Sequence, residues 1–370
     1  MQRSRKISLY IHIPWCSTKC PYCDFNSYRG PKPLPETEYL TALIADLHQS
    51  MANNSNYIIQ SIFIGGGTPT LLSSNFYSKL FTEIHKYKTT QNPEVTIEAN
   101  PNNVTFNQLI ELKSIGINRL SLGIQSLQDS KLKSLGRTHS KEQAINAFKN
   151  ARKCGFDNIN LDIMFGLPEQ TIKEATSDLA NCLQLNPEHI SWYQLTIEPN
   201  TIFAKKTPNI PDEKTITLIE KHGKNLLKSN SYNQYEISAY SKKGLECQHN
   251  LNYWLFGNYI GIGAGAHSKL KDIRVIKEKN PKKYSTGVKQ LSEYRLNKKD
   301  LLLEFMINTL RLYQPIQFSL LHERTGVNIE EITPKLECAK SNQLLDYNAS
   351  HFATTKRGRT FLNDLLLIFS

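Results

Sequence analysis

The chain has 370 residues and a formal net charge of +12 at pH 7. This length allows one large hydrophobic core and a small second one, because single cores stop growing near about 250–300 residues. The basic N-terminus (residues 1–6) is not followed by an apolar signal-peptide core, and no apolar run approaches the ~20 residues of a membrane span. We therefore expect a two-domain protein of the cytoplasm that is not embedded in a membrane.

The cysteines favour a metal site in a reducing compartment over a disulfide framework, because three of the seven are clustered near the N-terminus. Cys154, Cys182 and Cys338 fall in helical patterns instead. We expect these three to be inert core residues.

The clustered cysteines follow a predicted buried strand over residues 8–13, which Pro14 ends. Cys16, Cys20 and Cys23 have the spacing C-x3-C-x2-C, so one loop offers three soft thiolate ligands for a cubane iron–sulfur cluster and leaves one iron open. A structural zinc site is the alternative, but it normally takes four Cys or His ligands, and no second C-x-x-C pair occurs. The spacing, with an aromatic residue before the last cysteine, resembles the signature of the radical S-adenosylmethionine (SAM) superfamily. That resemblance implies that the amine and carboxylate of SAM complete the open iron.

Strand and helix patterns then alternate along the chain. An amphipathic helix is predicted over residues 36–50, and later helices open with predicted capping boxes at residues 105–108, 140–143 and 171–174. Strands are predicted over residues 61–64, 95–98, 118–123, 158–163 and 190–197. This alternation predicts an α/β fold with right-handed parallel β-α units, forming a partial or complete (β/α) barrel.

Unusual residues gather where these strands end. The carboxyl ends are followed by the cysteine loop, the glycine run of residues 65–67, Glu98, Gln125, Asp162 and residues 194–198. In barrel folds this edge is the catalytic face, and a glycine run there lets a ligand approach the bare backbone. We therefore expect one binding site on this rim.

The barrel domain is predicted to span residues 1–235. The remainder of the chain predicts two further units. Residues 236–297 form a β-rich extension, with short β-like pieces at 235–240, 247–254 and 259–267 and a connector over 271–300. Residues 298–370 form a small winged-helix-like domain, with helices at 301–312, 317–324 and 330–343, a hairpin at 344–347 and 351–354, and a closing helix at 358–369.

The predicted connector is strongly basic. Residues 271–300 contain eight Lys and two Arg against two Asp and two Glu, a net charge of +6. Such a stretch could bind an anionic partner, and an RNA-binding protein is one hypothesis. However, no RNA-binding motif is present and aromatic residues are not interleaved with these charges, so we expect no nucleic acid partner.

Several separated segments resemble one family. Residues 9–16, 65–70, 96–101, 120–125, 160–162 and 166–168 look like oxygen-independent coproporphyrinogen III oxidase and its relatives in the radical SAM superfamily. Residues 191–200 and the run from His249 to Trp254 resemble the heme-chaperone branch of that family. Phe25 stands where the oxidases carry a further cysteine, which also fits the chaperone branch.

The resemblance implies ligands and site residues. It implies that Cys16, Cys20 and Cys23 hold a 4Fe-4S cluster, and that His249 is an axial heme ligand beside Tyr253 and Trp254. The residues it implies around SAM are Tyr10, Gly66, Gly67, Thr68, Glu98, Gln125, Arg137 and Asp162. The absence of C-x-x-C-H argues against c-type heme attachment.

The implied function is that of a heme chaperone that transfers heme to acceptor proteins such as membrane respiratory enzymes. The alternative is coproporphyrinogen III oxidation, a radical decarboxylation in porphyrin biosynthesis. Phe25 argues against oxidase activity, and no catalytic residue is predicted.

Overall fold

The computed structural model describes residues 5–52, 54, 56–287 and 289–370, so most of the basic N-terminus (residues 1–4) lies outside the described residues. The strands are β1 (Arg5–Ile13), β2 (Trp15–Cys16), β3 (Tyr28–Arg29), β4 (Tyr57–Gly66), β5 (Thr89–Ala99), β6 (Arg119–Gln125), β7 (Ile159–Phe165), β8 (His189–Gln194), β9 (Asn233–Gln234), β10 (Ala239–Ser241), β11 (Tyr259–Ile262), β12 (His267–Leu270), β13 (Ile273–Lys277), β14 (Gln290–Arg295), β15 (Ile316–Gln317), β16 (Leu345–Tyr347) and β17 (His351–Thr354).

The α-helices connect and cover these strands. They are α1 (Glu36–Ala52), α2 (Ser74–Ile84), α3 (Phe106–Ile115), α4 (Asp129–Ser134), α5 (Lys141–Lys153), α6 (Ile172–Gln184), α7 (Ile202–Lys205), α8 (Glu213–Ser229), α9 (Gln248–Trp254), α10 (Pro281–Ser285), α11 (Lys298–Thr309), α12 (Phe318–Thr325), α13 (Ile329–Ser341), α14 (Lys356–Thr360) and α15 (Leu362–Phe369). No described helix is long and apolar enough to cross a membrane.

One large sheet organises the chain. Its order is β14-β13-β12-β11-β1-β4-β5-β6-β7-β8-β10-β9. The strands from β11 to β8 in this order run parallel, and the strands at both ends are antiparallel. Within the described residues the two edge strands do not pair with each other, so the predicted α/β barrel is present in its partial form.

Strand β1 shows how the sheet separates its two faces. Ile7, Leu9 and Ile11 are fully buried in the main hydrophobic core, while Ser8, Tyr10 and His12 alternate with them. Alternate residues of a strand point to opposite faces, so the second set faces the interior of the barrel. The interior is therefore polar, whereas the outer face packs under the helices.

The region between the barrel and the C-terminal domain differs from its prediction. Residues 248–254 form helix α9 and not a strand, because Glu94 of β5 accepts hydrogen bonds from the main-chain N–H groups of Gln248 (3.0 Å) and His249 (3.0 Å). A carboxylate at a helix N-terminus satisfies N–H groups that have no partner within the helix. This cap comes from more than 150 residues away, so local sequence could not indicate it.

The basic stretch is not a simple connector. It contains β13, α10 and β14, and β13 and β14 extend the main sheet at one edge. Lys277 is buried and its ammonium pairs with the buried carboxylate of Asp46 in α1 at 2.5 Å. This ion pair neutralises the charge of the one lysine that the folded sheet buries here.

The C-terminal unit agrees closely with its prediction. Helices α11, α12 and α13 precede the hairpin of β16 and β17, and a second hydrophobic core lies among them. The predicted closing helix is divided into α14 and α15 at Phe361. Among the cysteines expected in cores, Cys182 is buried, but Cys154 is only partly buried and Cys338 is exposed, so the expectation was wrong for Cys338.

Candidate functional site

A cavity of about 420 Å³ lies at the carboxyl ends of the parallel strands, beneath the cysteine loop. We call it the cysteine cavity. It is lined by Cys16, Cys20, Cys23, Tyr22, Asp24, Phe25, Gly66, Gly67, Thr68, Glu98, Asn100, Ser121, Gly123, Gln125, Arg137, Asp162, Met164, Tyr193 and Gln194, among others. Most of the rim residues predicted from sequence therefore face a single space.

The glycine run holds the cysteine loop in place. The N–H of Gly67 donates to the Ile13 carbonyl oxygen and that of Thr68 donates to the Trp15 carbonyl oxygen, both at 2.7 Å. A Cβ atom on Gly67 would lie 2.4 Å from the Trp15 oxygen, which no side chain could tolerate. Glycine is needed here because the two backbones approach so closely.

The cysteines form a donor set that fits three corners of a cluster. Cys16 is buried, and burial is the main cause that raises its thiol pKa. The Arg137 guanidinium donates to the Cys20 sulfur at 3.6 Å. Within the described residues no three Cys, His, Asp or Glu side chains converge on one metal-ion position. A cubane does not require such convergence, since each cysteine binds a different iron.

Two carboxyl groups lie deep in the same cavity. Burial, and secondarily the charge of Asp162, raises the pKa of Glu98 to about 8, although the Gly66 N–H donates to its carboxylate at 3.1 Å. Burial also raises the pKa of Asp162, which accepts hydrogen bonds from Asn160 (2.7 Å) and Ser121 (3.2 Å). A ligand that brings positive charge would favour ionisation of both groups.

Arg137 and Gln125 also line the cysteine cavity, and hydrogen bonds hold both side chains in place. Arg137 donates to the Gly123 carbonyl oxygen and to Asn100 Oδ1, both at 2.6 Å. Gln125 ends β6 in a left-handed conformation (φ 69°), and its side-chain oxygen accepts a hydrogen bond from Tyr193 at 2.7 Å. Sequence analysis missed Asn100 and Tyr193, although both belong to segments that carried the family resemblance.

A second cavity of about 670 Å³ adjoins the first, and we call it the histidine cavity. It is lined by Tyr10, His12, Asp24, Phe25, Asn26, Phe63, Gly66, Glu98, His249, Asn250, Tyr253, Trp254, Gly265, Ala266, His267 and Lys279. Asp24, Phe25, Gly66 and Glu98 line both cavities. The volume of the histidine cavity lies in the range of about 300–1,000 Å³ that is typical of pockets for drug-sized ligands.

His249 lies among aromatic rings in this cavity. Its ring centroid is 5.2 Å from that of Phe63, 6.1 Å from Tyr253 and 6.4 Å from Tyr10. Nδ1 is 3.2 Å from the Ser61 hydroxyl, and Nε2 is buried with no hydrogen-bond partner among the described residues. Burial, with a smaller contribution from the Arg119 charge, lowers the pKa of His249 to about 3, so the imidazole is neutral.

The position of Tyr10 differs from that of the other residues expected around SAM. Gly66, Gly67, Thr68, Glu98, Gln125, Arg137 and Asp162 line the cysteine cavity, whereas Tyr10 lines only the histidine cavity. Its hydroxyl is 3.0 Å from Nδ1 of His12, whose Nε2 donates to the Asn26 carbonyl oxygen at 2.9 Å. Sequence analysis missed His12, but the two-residue alternation along β1 could have found it.

The comparisons with known proteins agree with this arrangement. The radical SAM superfamily model matches residues 10–180 and the HemN C-terminal domain model matches residues 296–361. Heme chaperone HemW of Buchnera aphidicola subsp. Acyrthosiphon pisum is 45% identical over 98% of each chain, and heme chaperone HemW of Escherichia coli K12 is 41% identical over 98% of each. The chain belongs to the HemW family of the radical SAM superfamily.

Membership of the HemW family confirms the resemblance found in the sequence. A radical SAM family implies a 4Fe-4S cluster and SAM, and the thiols and polar residues of the cysteine cavity fit both. The solved structure of coproporphyrinogen III oxidase (HemN) from Escherichia coli superposes with a TM-score of 0.84 and covers 99% of this chain and 90% of its own. At 21% identity, that likeness shows a shared fold.

Proposed function

We propose that the chain is a cytoplasmic heme chaperone that binds heme in the histidine cavity and transfers it to acceptor proteins. The observation that carries the proposal is His249, a neutral imidazole with an unpartnered nitrogen among the aromatic walls of a cavity next to the cysteine cavity. Two relatives that match almost the whole chain are named heme chaperones.

The cysteine cavity would hold the cluster and SAM. Cys16, Cys20 and Cys23 would ligate three irons, and the methionyl end of SAM would complete the fourth. Thr68, Gln125, Arg137 and Asp162 would surround the remainder of SAM, with the bare backbone of Gly66 and Gly67 beside it. In this arrangement the chain binds and orients SAM, and the carboxyl groups of Glu98 and Asp162 balance the positive charges that SAM carries.

The histidine cavity would hold heme through an iron–imidazole bond and aromatic contacts. A buried polar nitrogen without a partner costs about 1–3 kcal/mol. Coordination of heme iron by Nε2 of His249 would remove this cost, because neutral imidazole is a common ligand of heme iron. Phe63, Tyr253 and Trp254 supply apolar ring surface for the porphyrin.

Both cavities share the wall formed by Asp24, Phe25, Gly66 and Glu98. A ligand in one cavity therefore contacts residues that also face the other. Heme binding and SAM binding would then influence each other through this wall.

The acceptor of the heme would be a heme protein, such as a membrane respiratory enzyme.

The test uses one anaerobically reconstituted sample of the full chain. Heme is titrated and followed by absorption, and conversion of coproporphyrinogen III is assayed on the same sample with SAM and a reductant. We expect saturable heme binding with an imidazole-type spectrum and no decarboxylated product. Product formation without a heme spectrum would overturn the chaperone proposal in favour of the oxidase.

A further inference from the structure

The rim of the histidine cavity carries one conspicuous positive charge. Lys279 is the single Lys or Arg among the described residues that line this cavity, and its side chain is exposed. Its neighbour Lys277 is paired with Asp46, and Arg295 is paired with Asp272. No described carboxylate pairs with Lys279, so its ammonium is available to an anionic ligand.

The backbone beneath this ammonium is fixed on several sides. Asn26 Nδ2 and the Tyr28 hydroxyl donate to the Lys279 carbonyl oxygen at 2.9 and 3.3 Å. The preceding residue, Glu278, accepts a hydrogen bond from the Gly265 N–H at 2.8 Å and donates to the Lys289 carbonyl oxygen at 3.1 Å. The side chain of Lys279 therefore extends from a preorganised point on the rim, close to the segment that follows the cysteine loop.

No other Lys or Arg among the described lining residues offers an anionic ligand a favourable charge. The acidic side chains that line the cavity are Asp24 and Glu98. Asp24 would repel an anion, and Glu98, with its pKa near 8, adds no favourable charge. The apolar part of the cavity, around Phe63 and Tyr253, suits a flat ring, whereas ionised carboxylates are more stable at the rim, where water and Lys279 can reach them.

We propose that Lys279 pairs with a carboxylate on the edge of the porphyrin and thereby fixes the orientation of heme in the histidine cavity. This inference rests on the proposed heme-binding function. Heme has an apolar macrocycle and carboxylate side chains on one edge, and the cavity offers aromatic walls with one cation at the rim. Lys279 is thus a specificity-determining residue that selects a carboxylated porphyrin.

The experiment compares heme with heme dimethyl ester, whose carboxylates are masked, in the same detergent and with the full chain. The variants are Lys279→Met, Lys279→Arg and the control Lys283→Met, which changes an exposed lysine of α10 outside the cavity. We expect Lys279→Met to weaken heme binding about threefold to fivefold at low salt, as for other solvent-exposed ion pairs. Lys279→Arg should retain the affinity, and the effect should shrink as salt is added.

The two ligands separate the possible outcomes. The ester should bind to Lys279→Met and to the unaltered chain with equal affinity, and Lys283→Met should behave as the unaltered chain with both ligands. Equal weakening for heme and ester, or equal effects of the two lysine variants, would overturn the role of Lys279 while leaving heme binding intact. Absence of heme binding by the unaltered chain would instead overturn the proposed function, and this inference with it.

Discussion

The two cavities are built in different ways. Most of the cysteine cavity is built from the carboxyl-terminal parts of the parallel strands and the loops that follow them, so its residues follow the order in which the chain builds the sheet. The histidine cavity instead joins β1 and β4 to residues 249–279, and its central contact, between Ser61 and His249, spans 188 residues. The first site depends on local motifs, whereas the second depends on long-range contacts that position α9.

The largest effect should come from the cysteine loop, where a single change removes a cluster ligand. We expect Cys20→Ser to abolish cluster assembly, since three thiolates are the minimum donor set for a cluster with one open iron. Iron and sulfide content after anaerobic reconstitution is the measurement. The control is Cys338→Ser, which changes an exposed cysteine of α13 and should keep the full cluster content. Loss of the cluster in the control but not in Cys20→Ser would contradict the site.

A second large effect, on SAM affinity and not on cluster content, is expected from a change within the cysteine cavity. Asp162→Ala removes a partly buried carboxylate that does not contact the cysteines, so we expect SAM affinity to fall roughly 10–100-fold, as for loss of one or two hydrogen bonds to a charged group. Cluster content should be unchanged. Equilibrium SAM binding to the reconstituted variant tests this, with the exposed Asp346→Ala as control. Equal SAM affinity in both variants would remove Asp162 from the SAM site.

Local sequence predicted the helices and strands around the cysteine cavity because their signals are short-range. The capping boxes at Ser140 and Thr171 are present, and each helps to end a connection and start the next helix. The expected box at Thr105 is only half formed, because the Gln108 side chain donates to the Thr70 and Leu72 carbonyl oxygens instead. Such competition between local and distant partners is not visible in the sequence.

The histidine cavity was predicted only in part. The sequence motif identified His249, Tyr253 and Trp254, but it could not show that Glu94 would cap α9 and turn this segment into a helix. Nor could it show that Tyr10 lines the histidine cavity, with its ring centroid 6.4 Å from that of His249. The incorrect strand prediction for this segment has one physical cause, which is that a tertiary contact overrode local propensity. The expected contact of Tyr10 with SAM stays a prediction.

The histidine cavity can be tested separately from the cysteine cavity. His249→Ala removes the proposed iron ligand, so we expect heme affinity to fall about tenfold or more and the imidazole-type absorption to be lost, with SAM affinity unchanged. His322→Ala, at an exposed position of α12, is the matched control. Heme spectra and affinities that do not differ between the two variants would exclude His249 as the axial ligand.

The smallest effect concerns Glu98, which lines both cavities and can show whether they share one electrostatic environment. The pKa of Glu98 is raised from 4.5 to about 8 in the folded chain. Between pH 4.5 and pH 8, the folded chain therefore keeps the proton on this carboxyl group, whereas the unfolded chain releases it. The contribution of Glu98 to folding stability should therefore fall by about 1.3 kcal/mol per pH unit between about pH 5 and about pH 7, so Glu98→Gln should gain stability relative to the unaltered chain over this range and be the more stable form at pH 8. Denaturant unfolding of the ligand-free chain at several pH values measures it, with the exposed Glu337→Gln of α13 as control. SAM is positively charged and should lower the pKa of Glu98, so adding SAM to the reconstituted chains should reduce the pH dependence of the stability difference between the unaltered protein and Glu98→Gln. A stability difference between Glu98→Gln and the unaltered chain that stays constant across this pH range would show that Glu98 does not titrate there.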